Sequence, residues 1–166
     1  MIATKTRNNT LNSSKLENIL NTLLGNMFNI ELQYKSDEYP FLCDCYIKDF
    51  NLYIELNGHW THGPHPFNPD SLEDQNKLNE IRAKQAYYMN NENKLKKNSY
   101  YVAERVWTKV DPLKLKYAKN NKLNYLALYN INDTNIYNLC KWNFKRFTEI
   151  NIIDVSNSEY LETEQF

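Results

Sequence analysis

The stretch FLCDCYIKDFNLYIELNGHWTH, residues 41–62, decides the predicted fold. It holds two short strand-like runs, separated by the turn-like segment KDFN at residues 48–51. Each run is apolar or aromatic except for one acid, Asp44 in the first and Glu55 in the second. In a tight hairpin, residues that face each other have residue numbers with a constant sum. This sum is 99 for the ends of the turn, residues 48 and 51, and also for Asp44 and Glu55, so we expect the two acids to face each other. Because strand neighbours alternate in direction, both acids lie on the face opposite to their apolar neighbours.

Further elements follow from hydrophobic periodicity and from turn and cap residues on either side of this hairpin. The first helix begins at a serine cap and ends near Gly25. Another helix is predicted to begin with Asp111 as its cap and Pro112 at its first helical position. Residues 100–107 are ambiguous between strand and helix. The other predicted elements are a helix over 14–25, a strand over 29–35, a polar helix over 70–95 that starts near Pro69, a helix over 111–122, a strand over 123–130 and an amphipathic helix over 134–147.

The order of these elements predicts the fold class. Three strands in an antiparallel meander, followed by helices and a fourth strand, make a mixed α/β sheet with a helical crossover. A chain of 166 residues is long enough for one domain with a core and short for two. We therefore expect one domain over 1–166, with its core at about 14–130 and a C-terminal helix and acidic tail over 131–166.

Composition indicates the compartment. The chain has no run of about 18 apolar residues, and its N-terminus lacks the apolar block of a secretory signal. The three cysteines, Cys43, Cys45 and Cys140, are odd in number and have no framework spacing, which favours reduced thiols. These features predict a cytoplasmic protein without a membrane span.

The net charge of zero hides a basic block. Residues 81–150 hold 14 Lys and Arg against 5 Asp and Glu, so the rest of the chain, with 6 against 15, is acidic. Such asymmetry is expected of a protein that presents one face to phosphates, although solvated helix faces give the same pattern. The lysines predicted to hold a DNA backbone are Lys94, Lys96, Lys97, Lys109, Lys116, Lys119 and Lys122.

The paired acids and the nearby histidines indicate a site for metal binding or proton transfer. Two opposed carboxylates repel each other, and a divalent cation such as Mg²⁺ or Mn²⁺ between them relieves the repulsion. The alternative is a solvated sheet face on which both acids pair with lysines. His59, His62 and His65 follow Glu55 in one loop. Each fits a general base, a structural hydrogen bond or, together with Cys43 or Cys45, a zinc site of unusual spacing.

Asp44 followed by Glu55-Leu-Asn-Gly58 resembles the core of the PD-(D/E)XK nuclease superfamily. The segments GHWTH and DPLKLKYAKNNKLNYLALY resemble the branch of the very-short-patch repair endonucleases and similar phage homing endonucleases. The resemblance spans about residues 14–130 and implies a restriction-endonuclease-like core. In that branch a glycine is followed four residues later by a catalytic histidine, a spacing that Gly58 and His62 match.

The resemblance also implies roles for individual residues. Asp44, Glu55 and Glu17 of the first helix would hold Mg²⁺ or Mn²⁺, and His62 would be the general acid or base, oriented by Asp111. Lys114, one turn after Asp111, would complete the catalytic set. The superfamily lysine two residues after the strand glutamate is Asn57 here, so Lys114 or Lys77 would have to neutralise the phosphate.

These observations predict a metal-dependent endonuclease that acts on double-stranded DNA and is encoded by a phage or mobile element. Its place of action would then be the cytoplasm of the bacterial host. Two alternatives stay open: a catalytically inactive DNA-binding module of the same fold, which Asn57 favours, and a protein-interaction or inhibitor factor with acidic ends and a basic middle.

Overall fold

The computed structural model describes residues 15–57, 60–90, 93–129 and 131, together with the backbone of 151–154. Its strands form one five-stranded sheet in the order β1-β2-β3-β4-β5. The first three strands make an antiparallel meander, β3 and β4 are parallel, and β4 and β5 are antiparallel. The predicted mixed α/β sheet is therefore confirmed. The strands are β1 Ile30–Tyr34, β2 Cys43–Ile47, β3 Leu52–Asn57, β4 Asn124–Tyr129 and β5 Asn151–Asp154.

The chain divides into two compact units. The sheet unit comprises Met1–Gly58 and Tyr117–Phe166, and the helical unit comprises His59–Lys116. Along the chain, the helical unit connects β3 to β4. Parallel neighbours require a connection of this kind, since no tight turn can join them. The single predicted domain over 1–166 thus has two subdivisions.

Helix α1 covers residues 15–25, close to the predicted 14–25. Its apolar stripe belongs to the main core cluster of the sheet unit, in which Leu20 and Leu24 meet Cys45, Ile54 and neighbouring aliphatic side chains of β2, β3 and β4. The spacing of the helical leucines therefore gave the correct buried face. The predicted serine cap lies outside the described residues.

A set of tyrosines forms a second cluster in the sheet unit. The Tyr34 and Tyr46 rings stack with centroids 3.9 Å apart, and Tyr39 meets Tyr53 at 5.4 Å and Tyr125 at 5.5 Å. Tyrosine buries a large apolar ring but keeps a hydroxyl that needs a partner. This cluster can therefore surround a buried polar group, which an aliphatic cluster cannot do.

The hairpin between β2 and β3 has the predicted register. Cys45 pairs with Ile54 and Ile47 pairs with Leu52, so each pair again adds up to 99. The connection is a 3₁₀ turn, Lys48–Phe50, followed by Asn51 in the left-handed region with φ of 50°. Asparagine tolerates that conformation better than most residues, and its side chain accepts a hydrogen bond from the Tyr46 hydroxyl at 2.8 Å.

The helical unit begins with a 3₁₀ turn, Trp60–His62, and continues with α2, Leu72–Asn90, and α3, Lys94–Arg105. Ser71 caps α2, since its Oγ accepts the backbone N–H of Asp74 at 3.3 Å. The predicted start is confirmed, but α2 ends five residues before the predicted residue 95. The ambiguous segment 100–107 is helical rather than extended: α3 covers its first part and a π-turn the rest.

The prediction that Asp111 caps a new helix is wrong. A π-turn, Val106–Val110, links α3 directly to α4, Asp111–Asn120. Asp111 has helical dihedral angles, and its backbone N–H reaches the carbonyl of Val106, five residues back. Pro112 has no N–H to continue the usual ladder, and the wider π-turn accommodates this missing donor. A proline that resembles a helix start is here an internal residue of a continuous helical segment.

Strand β5 was missed in the C-terminal region, for which the sequence predicts a helix and an acidic tail. Its four residues, Asn151–Asp154, pair antiparallel with β4. A run this short carries too little alternation to reveal its period. The predicted helix over 134–147 lies outside the described residues. Within the described ranges, no helix is long and apolar enough to span a membrane.

Candidate functional site

The hairpin register brings the two predicted acids side by side in the sheet unit. The last pair of the β2–β3 ladder is Cys45 with Ile54, so Asp44 and Glu55 come one residue beyond it, and the Leu56 N–H still reaches Asp44 across the hairpin. Glu55 also lies beside Ala127 of β4, so its strand has neighbours on both sides. The sheet face that carries Glu55 is covered at this point, since only 2 % of Glu55 is exposed.

The hydroxyl of Tyr39, itself next to the hydroxyl of Tyr125, holds the Glu55 carboxylate. The Tyr39 hydroxyl donates to Oε1 of Glu55 at 2.6 Å, and the hydroxyls of Tyr39 and Tyr125 lie 3.2 Å apart. Burial, and then the charge of Glu55, raise the pKa of both tyrosines far above the usual value near 10, so both keep their protons. Because the single Tyr39 proton points to Glu55, Tyr125 must donate to Tyr39. The result is a chain of hydrogen bonds in which Tyr125 donates to Tyr39 and Tyr39 donates to the Glu55 carboxylate.

Asp44 is held by the backbone instead. Its Oδ2 accepts the N–H of Leu56 across the hairpin at 2.7 Å, so the carboxylate takes the place of a carbonyl in the strand ladder. Asp44 and Glu55 thus each have one oxygen fixed by a neutral donor. A carboxylate oriented in this way is positioned before any ligand arrives, which lowers the cost of binding a cation.

The neighbouring thiols do not have the form that a zinc site needs. Burial, followed by the charges of Glu55 and Asp44, raises the pKa of Cys43 well above its usual value. Burial and the charge of Asp44 raise the pKa of Cys45 to about 12. Zinc binds thiolate, so a zinc ion here would have to displace the proton of one of these thiols, and the zinc interpretation stays an untested alternative.

The donor set in the sheet unit suits Mg²⁺ better than a closed metal cage. In the described part of the chain, no group of three or more His, Cys, Asp or Glu side chains is arranged to hold a metal ion. The role of Glu17 of α1 as a third ligand, which the resemblance implied, stays a prediction. Mg²⁺ is commonly held by one or two carboxylates and keeps several waters, and the pair fits that pattern.

In the helical unit, His62 contacts the residue that the resemblance assigns to it. Nδ1 of His62 lies 2.7 Å from Oδ2 of Asp111, which is 4 % exposed. The 3₁₀ turn, Trp60–His62, carries the histidine, and the end of the π-turn places the aspartate. A carboxylate accepts the proton of Nδ1, so a neutral ring has Nε2 as its proton acceptor. The catalytic role of His62 stays a prediction.

A second histidine–aspartate pair was missed. Nε2 of His65 lies 2.7 Å from Oδ1 of the buried Asp74, whose Oδ2 accepts the backbone N–H of Asn68 at 2.9 Å. The Trp107 indole donates to the carbonyl of His65 at 2.8 Å, which fixes the loop further. No signal in the sequence indicated this pair: Ser71-Leu-Glu-Asp74 has the spacing of a capping box, but the Asp74 carboxylate binds His65 and the Asn68 N–H instead of the Ser71 N–H. His59, the third histidine, lies outside the described residues.

A glycine is required where this loop crosses Trp107. Gly63 has φ of 68°, and a Cβ at this position would lie 2.4 Å from Nε1 of Trp107. Any larger residue would displace the indole that anchors His65. Trp107 is 1 % exposed, so it has no room to yield.

The predicted DNA-binding lysines have mixed environments. Lys96 places its ammonium 5.2 Å from the Tyr88 ring centroid, and Lys97 is half-buried. Lys114 is half-buried as well, whereas Lys77 lies over the Trp107 ring at 5.8 Å. The side chain of Lys94 lies outside the described part of the structure. The remaining predicted lysines are exposed: Lys109 and Lys116 in the helical unit, and Lys119 and Lys122 in the sheet unit.

Comparisons with protein-family models, with curated proteins and with solved structures found no match to this chain. The nuclease resemblance thus rests on the residues themselves, and the restriction-endonuclease-like core stays a prediction.

Proposed function

We propose that this protein is a Mg²⁺-dependent endonuclease that hydrolyses phosphodiester bonds in double-stranded DNA. The observation that carries the proposal is the pair of adjacent carboxylates, Asp44 and Glu55, each fixed at one oxygen by a neutral donor. Two like charges at neighbouring strand positions cost stability unless a cation compensates them. Two carboxylates held at neighbouring positions supply the oxygen ligands with which proteins commonly hold Mg²⁺, and this supports the proposal.

The metal would be held by Asp44 and Glu55, and Mn²⁺ would serve in place of Mg²⁺. When bound, such an ion supplies positive charge to a phosphate oxygen and lowers the pKa of a bound water. The Tyr39 hydroxyl keeps Glu55 in one orientation, and the Leu56 N–H does the same for Asp44. Tyr39 is thus a positioning residue in this proposal, because it acts through Glu55.

His62 supplies proton transfer in the helical unit. With Nδ1 bound to Asp111, Nε2 of the neutral ring accepts the proton of the attacking water. The water oxygen forms the new bond to phosphorus, and the bond to the leaving oxygen breaks. Lys114 would take the role that Asn57 cannot fill, since its ammonium group carries the positive charge that an amide lacks. The predicted lysines of the block at 81–150 hold the DNA backbone, namely Lys94, Lys96, Lys97, Lys109, Lys116, Lys119 and Lys122.

A second candidate function is a DNA-binding module of the same fold without turnover, encoded like the nuclease by a phage or mobile element. The observation that favours it is Asn57, which ends β3 and is only 6 % exposed. An amide at this position donates hydrogen bonds but carries no charge for the phosphate. The two candidates share DNA binding and differ in cleavage.

Nicking of supercoiled plasmid DNA, with and without Mg²⁺, tests the proposal. We expect metal-dependent nicking by the unaltered chain and its loss in Asp44→Asn, which removes charge but keeps an oxygen to accept the Leu56 N–H. The matched control is Asp37→Asn, the same change at an exposed turn position of the sheet unit. Full activity of Asp44→Asn would overturn the metal site. DNA binding without nicking by the unaltered chain would favour the second candidate.

A further inference from the structure

A cleft of about 210 Å³ lies in the helical unit, outside the residues assigned above to metal binding and proton transfer. Gln85 of α2 lines one side, and Tyr101, Glu104, Arg105 and Lys109 line the other. Its lining combines two cations, one aromatic ring, one amide and one carboxylate. This composition suits a ligand with both negative charge and a flat ring.

The carboxylate of the cleft is already engaged by α2. Arg82 donates to Oε1 of Glu104 at 2.8 Å, and Gln85 donates to Oε2 at 2.7 Å. Burial alone would raise the pKa of Glu104, but these hydrogen bonds and the charge of Arg82 hold it below its usual value. Glu104 is therefore ionised, and both of its oxygens are satisfied within the unit.

The two cations that line the cleft, Arg105 and Lys109, are both exposed. The side chain of Arg105 makes no hydrogen bond or ion pair with any residue in the described ranges, and it is exposed. Lys109 is exposed as well and contributes to the field at Glu104. With Arg82 pairing Glu104, the cleft keeps a surplus of positive charge, which favours an anion.

These groups belong to a longer row. Lys97, Tyr101, Arg105 and Lys109 follow one another at every fourth residue. Residues four apart lie on the same side of a helix and rise about 6 Å per step. Tyr101 is 58 % exposed, so its ring is presented rather than packed away. Along one side of α3 and its π-turn, the row therefore presents, in order, the cation of Lys97, the ring of Tyr101 and the cations of Arg105 and Lys109.

We propose that this row binds a single-stranded nucleic acid. Arg105 and Lys109 hold a phosphodiester in the cleft, and an unpaired base stacks on Tyr101. Cationic grooves with aromatic platforms bind single strands in this way, because every base has a π-face and the backbone follows the charges. A duplex has its bases stacked inside and offers none to Tyr101. A free nucleotide would need only the cleft, whereas the row continues one turn further to Lys97.

The inference goes beyond the proposed nuclease and does not rest on it, because its test measures binding alone. The probe is a fluorescein-labelled deoxyoligonucleotide of mixed sequence, followed by anisotropy with the full chain and no divalent metal. We expect Tyr101→Ala to weaken single-strand binding by about 5- to 100-fold. We expect Arg105→Gln to reduce the log–log salt slope by about 0.7, the value for one neutralised phosphate on a single strand.

Two matched controls keep the result specific. Tyr87 of α2 is also 58 % exposed but does not line the cleft, so Tyr87→Ala should bind like the unaltered chain. Lys84→Gln removes one exposed charge from α2 and should leave the affinity unchanged. Binding of the labelled duplex of the same sequence should not respond to Tyr101→Ala.

Three outcomes would overturn the inference. The first is single-strand binding by Tyr101→Ala and Arg105→Gln that equals that of the unaltered chain. The second is displacement of the oligonucleotide by a deoxynucleoside monophosphate at equal concentration, which would make the cleft a nucleotide site. The third is equal displacement by a poly-glutamate peptide, which would make it an unselective anion surface.

Discussion

The two units hold their carboxylates with different partners. In the sheet unit, Glu55 is bonded to a tyrosine hydroxyl and Asp44 to a backbone N–H, both neutral donors. In the helical unit, Asp111 and Asp74 are each bonded to a histidine ring. A neutral donor orients a carboxylate without changing the charge of the site. A histidine can both orient the carboxylate and take up a proton.

Because of this difference, the two units suit different kinds of chemistry. In the sheet unit, neutral donors fix the orientation of the two acids, and under the proposal above these acids would bind a cation. The helical unit pairs its acids with rings that exchange protons, which is suited to proton transfer or to holding a loop.

The largest expected effect concerns the two histidine–aspartate pairs. If His62 transfers a proton, His62→Ala should lower the rate of DNA cleavage by about 10²–10⁴-fold. The affinity for DNA should be nearly unchanged, since the deleted group acts on the water and not on the backbone. Single-turnover cleavage together with a binding titration measures both quantities.

His65→Ala is the matched change in the other pair. It leaves buried Asp74 without its ring partner, so it should lower the free energy of unfolding by about 1–3 kcal/mol with little effect on the cleavage rate. If His65→Ala damaged the rate more than His62→Ala, the assignment of the two pairs would be reversed. If neither variant changed the rate, both pairs would be structural.

An intermediate effect is expected at alkaline pH and concerns the sheet unit. Burial, then the charge of Asp44, raises the pKa of Cys45 to about 12, from 9.0 in the unfolded chain. Below pH 9 the thiol is protonated in both states and stability is unaffected. Above it only the unfolded thiol loses its proton, which favours unfolding. Urea unfolding at pH 10.5 should give a free energy about 2 kcal/mol lower from this group than at pH 8.

The variant Cys45→Val isolates that contribution. Valine cannot titrate and has a similar volume, so the loss of stability between pH 8 and pH 10.5 should be smaller in the variant by about that amount. The difference between the two pH values is the quantity compared, which removes any constant packing effect of the substitution. An identical loss in both proteins would show that Cys45 titrates no differently when folded.

The smallest effect is expected from the basic block. Replacing Lys94, Lys96 and Lys97 together by glutamine should flatten the salt dependence of duplex binding, by a log–log slope of about 0.9 for each phosphate that the protein no longer neutralises. Glutamine at Lys35 and Lys84, two exposed lysines outside the predicted set, is the control and should leave the slope unchanged. An unchanged slope in the triple variant would mean that these lysines form only a solvated helix end.

Local patterns predicted much of the fold. The periodicity of its leucines gave α1, and the alternation of apolar and polar residues gave β1. The symmetric placement of Asp44 and Glu55 about the turn gave the hairpin register, because a tight turn fixes which residues face each other. These features depend on neighbours in sequence, so the sequence carries them directly.

Other predictions failed where a distant contact decides the local structure. Asp111 and Pro112 have the pattern of a helix start, but the chain enters them through a π-turn. Asp111 also forms its hydrogen bond with His62, 49 residues away, which no local pattern could locate. The resemblance to a nuclease branch, rather than the periodicity, predicted that contact.

By itself, the sequence determined which residues are acidic, basic or aromatic, and which of them share a strand or a helix face. Their partners depend on the tertiary structure: Tyr39 for Glu55, Asp74 for His65, and Arg82 for Glu104. The physical reason is that a buried polar group must find its hydrogen bonds wherever the fold brings a donor or acceptor close. Chain separation plays no part in that requirement, so sequence spacing does not reveal which partner is chosen.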